Sequence, residues 1–405
     1  MDPTRKGQRW ILDGFISSGG MGLLHPESNF FREQLGYNSY DLKRVFDLAK
    51  STQQITAAWA TVAREIEGRA EYWIARGSPT AALALYERAM LLYGRAHYSI
   101  TTNPVRRRKY LNRLIACRTK VAELTQHRVE FPEIPFADKA IHGFFEAAPG
   151  TSKAPCVILL SGMDMFKENW HRFMATNVLP RGWVGYTLDG PGQGESLTNG
   201  VTMTVDNYDD ALKASIDWLV QQPEVDPERI VIMGSSMGSW WGTHALPKEK
   251  RIKALAANMP CLADKSILIN SAQPSFVNNL MFMTGIKEYD EIARYAESMN
   301  LDNIVDKIDI PYLIVTGEND ELTTLEDTVA IYEKIPSTKA LWVYQNEFHP
   351  IGPPANEWLN ASLDWLQNVL DNKVEQGSRY QVFITKNGEY HEGTGAPLWW
   401  DPEGW

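Results

Sequence analysis

Ile230-Val231-Ile232-Met233-Gly234-Ser235-Ser236-Met237-Gly238-Ser239-Trp240 is an apolar strand run that enters G-x-S-x-G and continues as a helical pattern. A strand that turns sharply into a helix holds the central serine in a strained conformation, and glycines two positions either side leave it room. The helix N-terminus then favours negative charge developing beside that serine. G-x-S-x-G alone is a weak signal, because glycine and serine are common residues. Between an apolar strand and a helix it marks Ser236 as a nucleophile, while Ser235 and Ser239 miss the central position.

Outward from this stretch, short apolar runs at 156–160, 183–188, 254–258, 312–316 and 341–344 alternate with amphipathic helical patterns. Such alternation predicts a mostly parallel sheet covered by helices on both faces. Together with the serine turn, it predicts an α/β-hydrolase fold. Residues 129–131 and 140–145 read as short extended segments ahead of it. The first third is helical in pattern, over 40–50 and 55–77, again from Ser78-Pro79, and again after Pro104. The expected organisation is a helical N-terminal domain (1–127) and a catalytic domain (128–377). Residues 261–310 are read as a helical insertion near the site, and the Trp-rich tail (378–405) as irregular.

In an α/β-hydrolase the acid follows the serine and the histidine comes last. Residues 312–316 run into Gly317-Glu318-Asn319-Asp320, which makes Asp320 the leading acid and Glu318 the runner-up. The loop after the last core strand carries Phe348-His349-Pro350. There a histidine can accept the serine proton on one ring nitrogen while the acid orients the other. His349 and His391 are the histidines downstream of Asp320, and His391 lies in the tail. His244, on the helix after Ser236, reads as packing. The first long strand ends in Ser161-Gly162-Met163-Asp164, where this fold donates a second oxyanion N–H. The amides of Met163 (or Gly162) and Met237 are the candidates. Lys167-Glu168-Asn169 follows at once, and Glu168 either binds substrate hydroxyls, holds the loop by an ion pair, or is a solvated charge. Asp189-Gly190-Pro191-Gly192-Gln193-Gly194-Glu195 lacks the strand-to-helix context of a dinucleotide fingerprint and reads as a tight turn beside the site.

With 405 residues and a net charge of −10, the chain is large enough for two cores and a poor ligand for nucleic acid. Arg106-Arg107-Arg108-Lys109 reads as a solvated helix face. Three scattered cysteines form no C-x-x-C pair, which favours a reducing compartment. The opening MDPTRKGQRWILDGF has no signal-peptide core, and no run approaches the ~20 apolar residues of a membrane span. A cytoplasmic location without cofactor or metal is expected. A homodimer is one way for the aromatic tail to be covered.

The G-S-S-M-G turn, the S-G-M-D-x-x-K-E loop, the D-G-P-G-Q-G-E-S turn, G-E-N-D and F-H-P occur together behind a helical first third. This set resembles the branch of α/β-hydrolases that includes fungal yellowish-green heptaketide hydrolases of melanin pigment pathways. Bacterial 2,6-dihydroxypseudooxynicotine hydrolase and FrsA-like proteins belong to the same branch. The resemblance implies Ser236, Asp320 and His349 as a triad under a lid of N-terminal helices, with Glu168 and Gly162 contacting substrate. It also implies a small aromatic or polyketide substrate, and C–C cleavage of a β-diketone in pigment or other secondary metabolism. Trp59, Tyr72, Trp73, Tyr86, Tyr93, Trp240, Phe276 and Phe282 would suit such a substrate, although each taken singly reads as core. Three functions stay open on the residues: C–C hydrolysis; ester, lactone or thioester hydrolysis (or cyclisation) on the same triad; and a non-catalytic regulatory binding protein.

Overall fold

The computed structural model describes residues 9–20, 22, 28–270, 272 and 274–392. Among the described residues, eleven strands form one sheet: β1 (Arg128–Glu130), β2 (Glu133–Phe136), β3 (Lys139–Ala147), β4 (Ala154–Leu160), β5 (Val184–Asp189), β6 (Val225–Ser236), β7 (Ile252–Pro260), β8 (Tyr312–Gly317), β9 (Lys339–Tyr344), β10 (Arg379–Ile384) and β11 (Tyr390–Glu392). Their order is β1-β3-β5-β4-β6-β7-β8-β9-β10-β11, with β2 beside β3. From β5 to β10 every neighbouring pair is parallel, while β1, β2 and β3 at one edge and β11 at the other pair antiparallel. This is the α/β-hydrolase architecture that the alternation of elements predicts.

Both faces of the sheet are covered, which is why its central strands read as unbroken apolar runs rather than as alternation. Val157 and Leu159 of β4 and Val231 and Met233 of β6 join one core. Ile158, Leu160, Ile230 and Ile232, one residue out of phase, join the other.

Before the sheet come helices α1 (Arg9–Gly19), α2 (Ser28–Gln34), α3 (Ser39–Leu48), α4 (Ile55–Ile74), α5 (Pro79–Tyr98) and α6 (Pro104–Leu124). Asn38 and Asn103 cap α3 and α6 by accepting backbone N–H bonds, and Pro79 and Pro104 sit in first turns where a missing N–H costs nothing. Gly77, at φ +69°, makes the turn between α4 and α5. Their apolar faces are continuous with the first of the two sheet cores. The later helices are the single turn α7 (His171–Phe173), then α8 (Gly194–Thr198), α9 (Asn207–Leu219), α10 (Met237–Ala245), α11 (Ser266–Asn270), α12 (Pro274–Thr284), α13 (Tyr289–Ser298), α14 (Leu325–Lys334) and α15 (Ala355–Leu370). Phe31 of α2 stacks on Trp358 of α15 at 5.7 Å and meets Trp170 edge-on at 6.5 Å, so the N-terminal helices rest on the sheet layer.

Two expectations need correction. The tail is not irregular throughout: residues 379–384 add a parallel strand to β9, and 390–392 return antiparallel to it. Val382, Phe383 and Ile384 are buried there, so sheet pairing and burial together order this stretch. Trp399, Trp400 and Trp405 lie outside the described residues. The basic run of α6 is not wholly solvated either. Arg107 is buried and donates to the Ile100 carbonyl at 2.8 Å and the Thr198 hydroxyl at 3.0 Å. Among the described residues, no helix is long and apolar enough to cross a membrane.

Candidate active site

Ser236 closes β6 and caps α10 with φ 55° and ψ −124°, a conformation that costs a non-glycine residue about 1–3 kcal/mol. The flanking glycines are a steric requirement. A Cβ on Gly234 would lie 2.7 Å from the Gly238 carbonyl oxygen, and one on Gly238 would lie 2.2 Å from the Leu160 carbonyl oxygen. β4 and α10 therefore approach as closely as backbone allows. The same approach brings Gly162, in the loop after β4, against the serine: a Cβ there would stand 3.1 Å from Ser236 Cβ. Met237 is the first residue of α10, where a backbone N–H has no acceptor within the helix.

Asp320 follows β8 and His349 follows β9, so parallel pairing of these strands delivers both loops to the end of the sheet where β6 ends. His349 Nε2 lies 2.8 Å from Ser236 Oγ, and Nδ1 lies 3.0 Å from Asp320 Oδ2. The other oxygen of Asp320 accepts the amides of Leu322 and Thr323 at 2.9 and 3.0 Å, which fixes the carboxylate. With the carboxylate on Nδ1, that nitrogen carries the proton and Nε2 is left to accept from the serine. Burial opposes charge on His349, but the charge and hydrogen bond of Asp320, with Glu321 and Asp164 beyond, raise its pKa above the usual 6.5. Glu318, the runner-up acid, accepts the Asn346 amide at 2.7 Å.

Above the serine lies a cavity of about 270 Å³. Its floor includes Met163, Ser236 and His349, and Phe276 and Asn279 of α12 wall one side. Phe31, Arg32 and Tyr37 from in and after α2, with Arg95 and Tyr98 of α5, complete the lining from the N-terminal helices. Asn279 Nδ2 donates to the Met163 carbonyl at 3.0 Å, and Tyr98 hydrogen-bonds Asn279 in turn. Of the aromatic residues expected to face substrate, Phe276 lines the cavity. Trp59, Tyr86, Tyr93 and Trp240 are packed in the cores, and Tyr72 and Trp73 are exposed. Phe31, Tyr37 and Tyr98 escape the sequence reading, because helical periodicity tells which face is buried but not what lies opposite it.

Glu168 does not line this cavity. Its side chain is 1% exposed and sits 2.8 Å from Arg118 of α6 and 3.1 Å from Lys167. Lys167 Nζ also reaches Asp189 at 2.8 Å and Glu195 at 2.9 Å, and Arg118 reaches Glu195 at 2.6 Å. Of the three roles expected for Glu168, the geometry shows the ion pair that holds the loop, not a solvated charge and not a substrate contact. Burial alone would neutralise Glu195, yet the Lys167 and Arg118 charges hold its pKa well below the carboxylate range. Burial works against Lys167 too, and Asp189, Glu168 and Glu195 outweigh it to keep the ammonium charged. Asp189 also accepts the amides of Lys167 and Glu195, so the turn after β5 and the loop after β4 share one anchor. Gln193 of that turn donates to the Gly162 carbonyl at 3.0 Å. The D-G-P-G-Q-G-E stretch is thus a structural turn against the loop after β4.

Among the described residues, two clusters outside the cavity lining are invisible in sequence spacing. Glu146 joins His127 at 2.6 Å and His171 at 2.7 Å, and His244 stacks on Trp240 while bonding Asp209 at 2.9 Å. Burial disfavours charge on His171, but Glu146 prevails and lifts its pKa to about 10.

Residues 190–373 match the prolyl oligopeptidase family, Peptidase_S9. A 2,6-dihydropseudooxynicotine hydrolase of Paenarthrobacter nicotinovorans is 28% identical over 196 residues, 48% of this chain and 52% of that protein. A 20-hydroxy-prefusarin hydrolase of Gibberella moniliformis is 29% identical over 209 residues, 49% of each. The match spans about half the length of these relatives. Among solved structures, the 2,6-dihydroxy-pseudo-oxynicotine hydrolase superposes with a TM-score of 0.75 at 22% identity, over 86% of this chain and 98% of that one. AbyA5 gives a TM-score of 0.62 at 16% identity, over 76% of this chain and 88% of that one. The chain has the α/β-hydrolase fold and is related to these hydrolases.

Proposed function

We propose that this α/β-hydrolase, related to the pseudooxynicotine and fungal hydrolases, is a serine hydrolase that cleaves a C–C bond of a polyketide or β-diketone. The observation that carries the reading is the unbroken chain from Ser236 Oγ through His349 to Asp320 at the floor of a covered cavity. Ser236 Oγ adds to a ketone carbonyl as its proton passes to His349 Nε2. The resulting alkoxide is held by the amides of Met163 and Met237. When it collapses, the bond to the α-carbon breaks and its electron pair leaves as an enolate, which takes the proton back from His349. The enzyme is left acylated on Ser236. Water, deprotonated by His349, attacks the acyl group, and a carboxylic acid departs as Ser236 regains its proton. Overall, a 1,3-diketone and water give an acid and a ketone.

The C–C reading is supported by the family resemblance and by the covered, largely apolar cavity, and a role in pigment or other secondary metabolism is proposed with it. Cys117, Cys156 and Cys261 are buried free thiols, which fits a cytoplasmic enzyme. Ester hydrolysis needs the same residues with an alkoxide leaving group. Turnover of a 1,3-diketone or naphthopyrone against p-nitrophenyl esters separates the two. Diketone cleavage lost in Ser236→Ala is the expected result; fast ester turnover with no diketone cleavage would sink the C–C reading.

A further inference from the structure

Arg32 and Arg95 both line the cavity above Ser236. Arg95 Nη1 donates to the Asp164 carbonyl at 2.9 Å and stands 3.4 Å from its carboxylate, while Arg95 Nε is buried with no hydrogen-bond partner among the described residues. Arg32 donates to Asn29 Oδ1 at 3.0 Å and forms no ion pair with any described carboxylate. Among the described residues that line the cavity, Asp164, half exposed at 51%, is the one carboxylate. Two fixed positive charges thus face one negative charge. The tyrosines beside them do not supply another, because burial pushes both Tyr37 and Tyr98 up and keeps them neutral. Burial, followed by the charge of Arg95, brings the Arg32 guanidinium down to about 10. A guanidinium that lines a cavity with Phe31, Met163 and Phe276, and has no counter-ion among the described residues, is favoured by a bound anion that pairs with it.

We propose that Arg32 and Arg95 form an anion subsite that selects substrates carrying a delocalised oxyanion, either a carboxylate or the enolate of an acidic 1,3-dicarbonyl. Both anions present two oxygens in a plane, which a planar guanidinium meets with paired N–H donors. The subsite lies under the N-terminal helices, so the charged end of the substrate would be the part covered by α2 and α5. The inference rests on Ser236 as the nucleophile and adds the charge of what it attacks.

Calorimetric binding of three arylboronic acids tests it, because boron bonds Ser236 Oγ whatever else the ring carries. One ring bears a methyl ester, one a carboxylate and one an acidic cyclic 1,3-dione. The expected result is binding of the carboxylate, the dione or both about tenfold tighter than the methyl ester. The anion that gains identifies the source of the charge. In Arg32→Gln and in Arg95→Gln that ratio falls below about threefold, whereas Arg32→Lys keeps part of it. Because the readout is a ratio within one protein, a partly folded variant does not imitate the effect. Equal affinity for all three boronates in the native protein, or a ratio unchanged in both glutamine variants, would overturn the subsite while leaving Ser236 in place. Binding of none would overturn the serine reading and the subsite with it.

Discussion

Asp320 sets two properties of His349 at once: it accepts the Nδ1 proton at 3.0 Å, and its charge outweighs the burial that would otherwise lower the histidine pKa. The base must be neutral to take the serine proton, so kcat/KM should fall as pH drops through a value above 6.5. In Asp320→Asn the attraction is gone and burial dominates, so the acid limb of the residual activity should move to lower pH. Its kcat should drop about 10⁴-fold, since the amide favours the wrong tautomer. A pH–rate profile whose acid limb stays put in the variant would contradict this account of the pair. Gly238→Ala tests the serine turn itself. Its Cβ would lie 2.2 Å from the Leu160 carbonyl oxygen, so α10 must move off β4. Activity should vanish, with a loss of about 1–3 kcal/mol on urea unfolding. These residues were legible because their chemistry is local or fixed by chain order: two glycines around a serine, then an acid and a histidine after successive strands. Glu168 was not. Its partner Arg118 lies fifty positions away on another helix, and no local pattern registers a contact of that kind.

Arg118 joins α6 to the loop after β4 through Glu168 and to the turn after β5 through Glu195. Arg118→Met strips one cation from a buried cluster that still contains its carboxylates, so unfolding stability should fall by about 3–5 kcal/mol. A substitution cost near zero would mean that Lys167 alone neutralises the cluster. The cluster also fixes a pH dependence. Glu195 has a folded pKa below its ordinary 4.5, so its contribution is present above that value and should be lost as pH falls below it. Thermal melts from pH 6 to pH 3 would show the loss, reduced in Arg118→Met. At the same scale, α12 steadies the loop after β4, the proposed oxyanion loop, through Asn279 and the Met163 carbonyl. Asn279→Leu should lower kcat about tenfold without abolishing acylation of Ser236. The helices and core strands were legible from periodicity and caps. β10 was not, because Val382-Phe383-Ile384 is a short run in an aromatic, glycine-rich tail, and the edge of β9 that orders it belongs to a distant part of the chain.

Across the whole molecule, the cavity takes its floor from the sheet loops and its roof from the N-terminal helices, with Phe31 packed on Trp358 at their junction. A ligand bound to Ser236 touches both layers. It should therefore stabilise the native chain by about 2.7 kcal/mol at a hundredfold excess over its Kd and slow proteolysis within α2. Stabilisation without protection of α2 would place the ligand elsewhere. Periodicity made the helical third legible, but its seat over the serine depends on packing between Phe31, Trp170 and Trp358, whose partnership no spacing reveals. The central claim is that Ser236 is the nucleophile, activated by His349. Intact protein treated with a fluorophosphonate and read by peptide mass spectrometry tests it most directly. An adduct on Ser236, absent in Ser236→Ala and strongly slowed in His349→Ala, is the result expected. No adduct on the native protein, or equal labelling of Ser236→Ala, would contradict it.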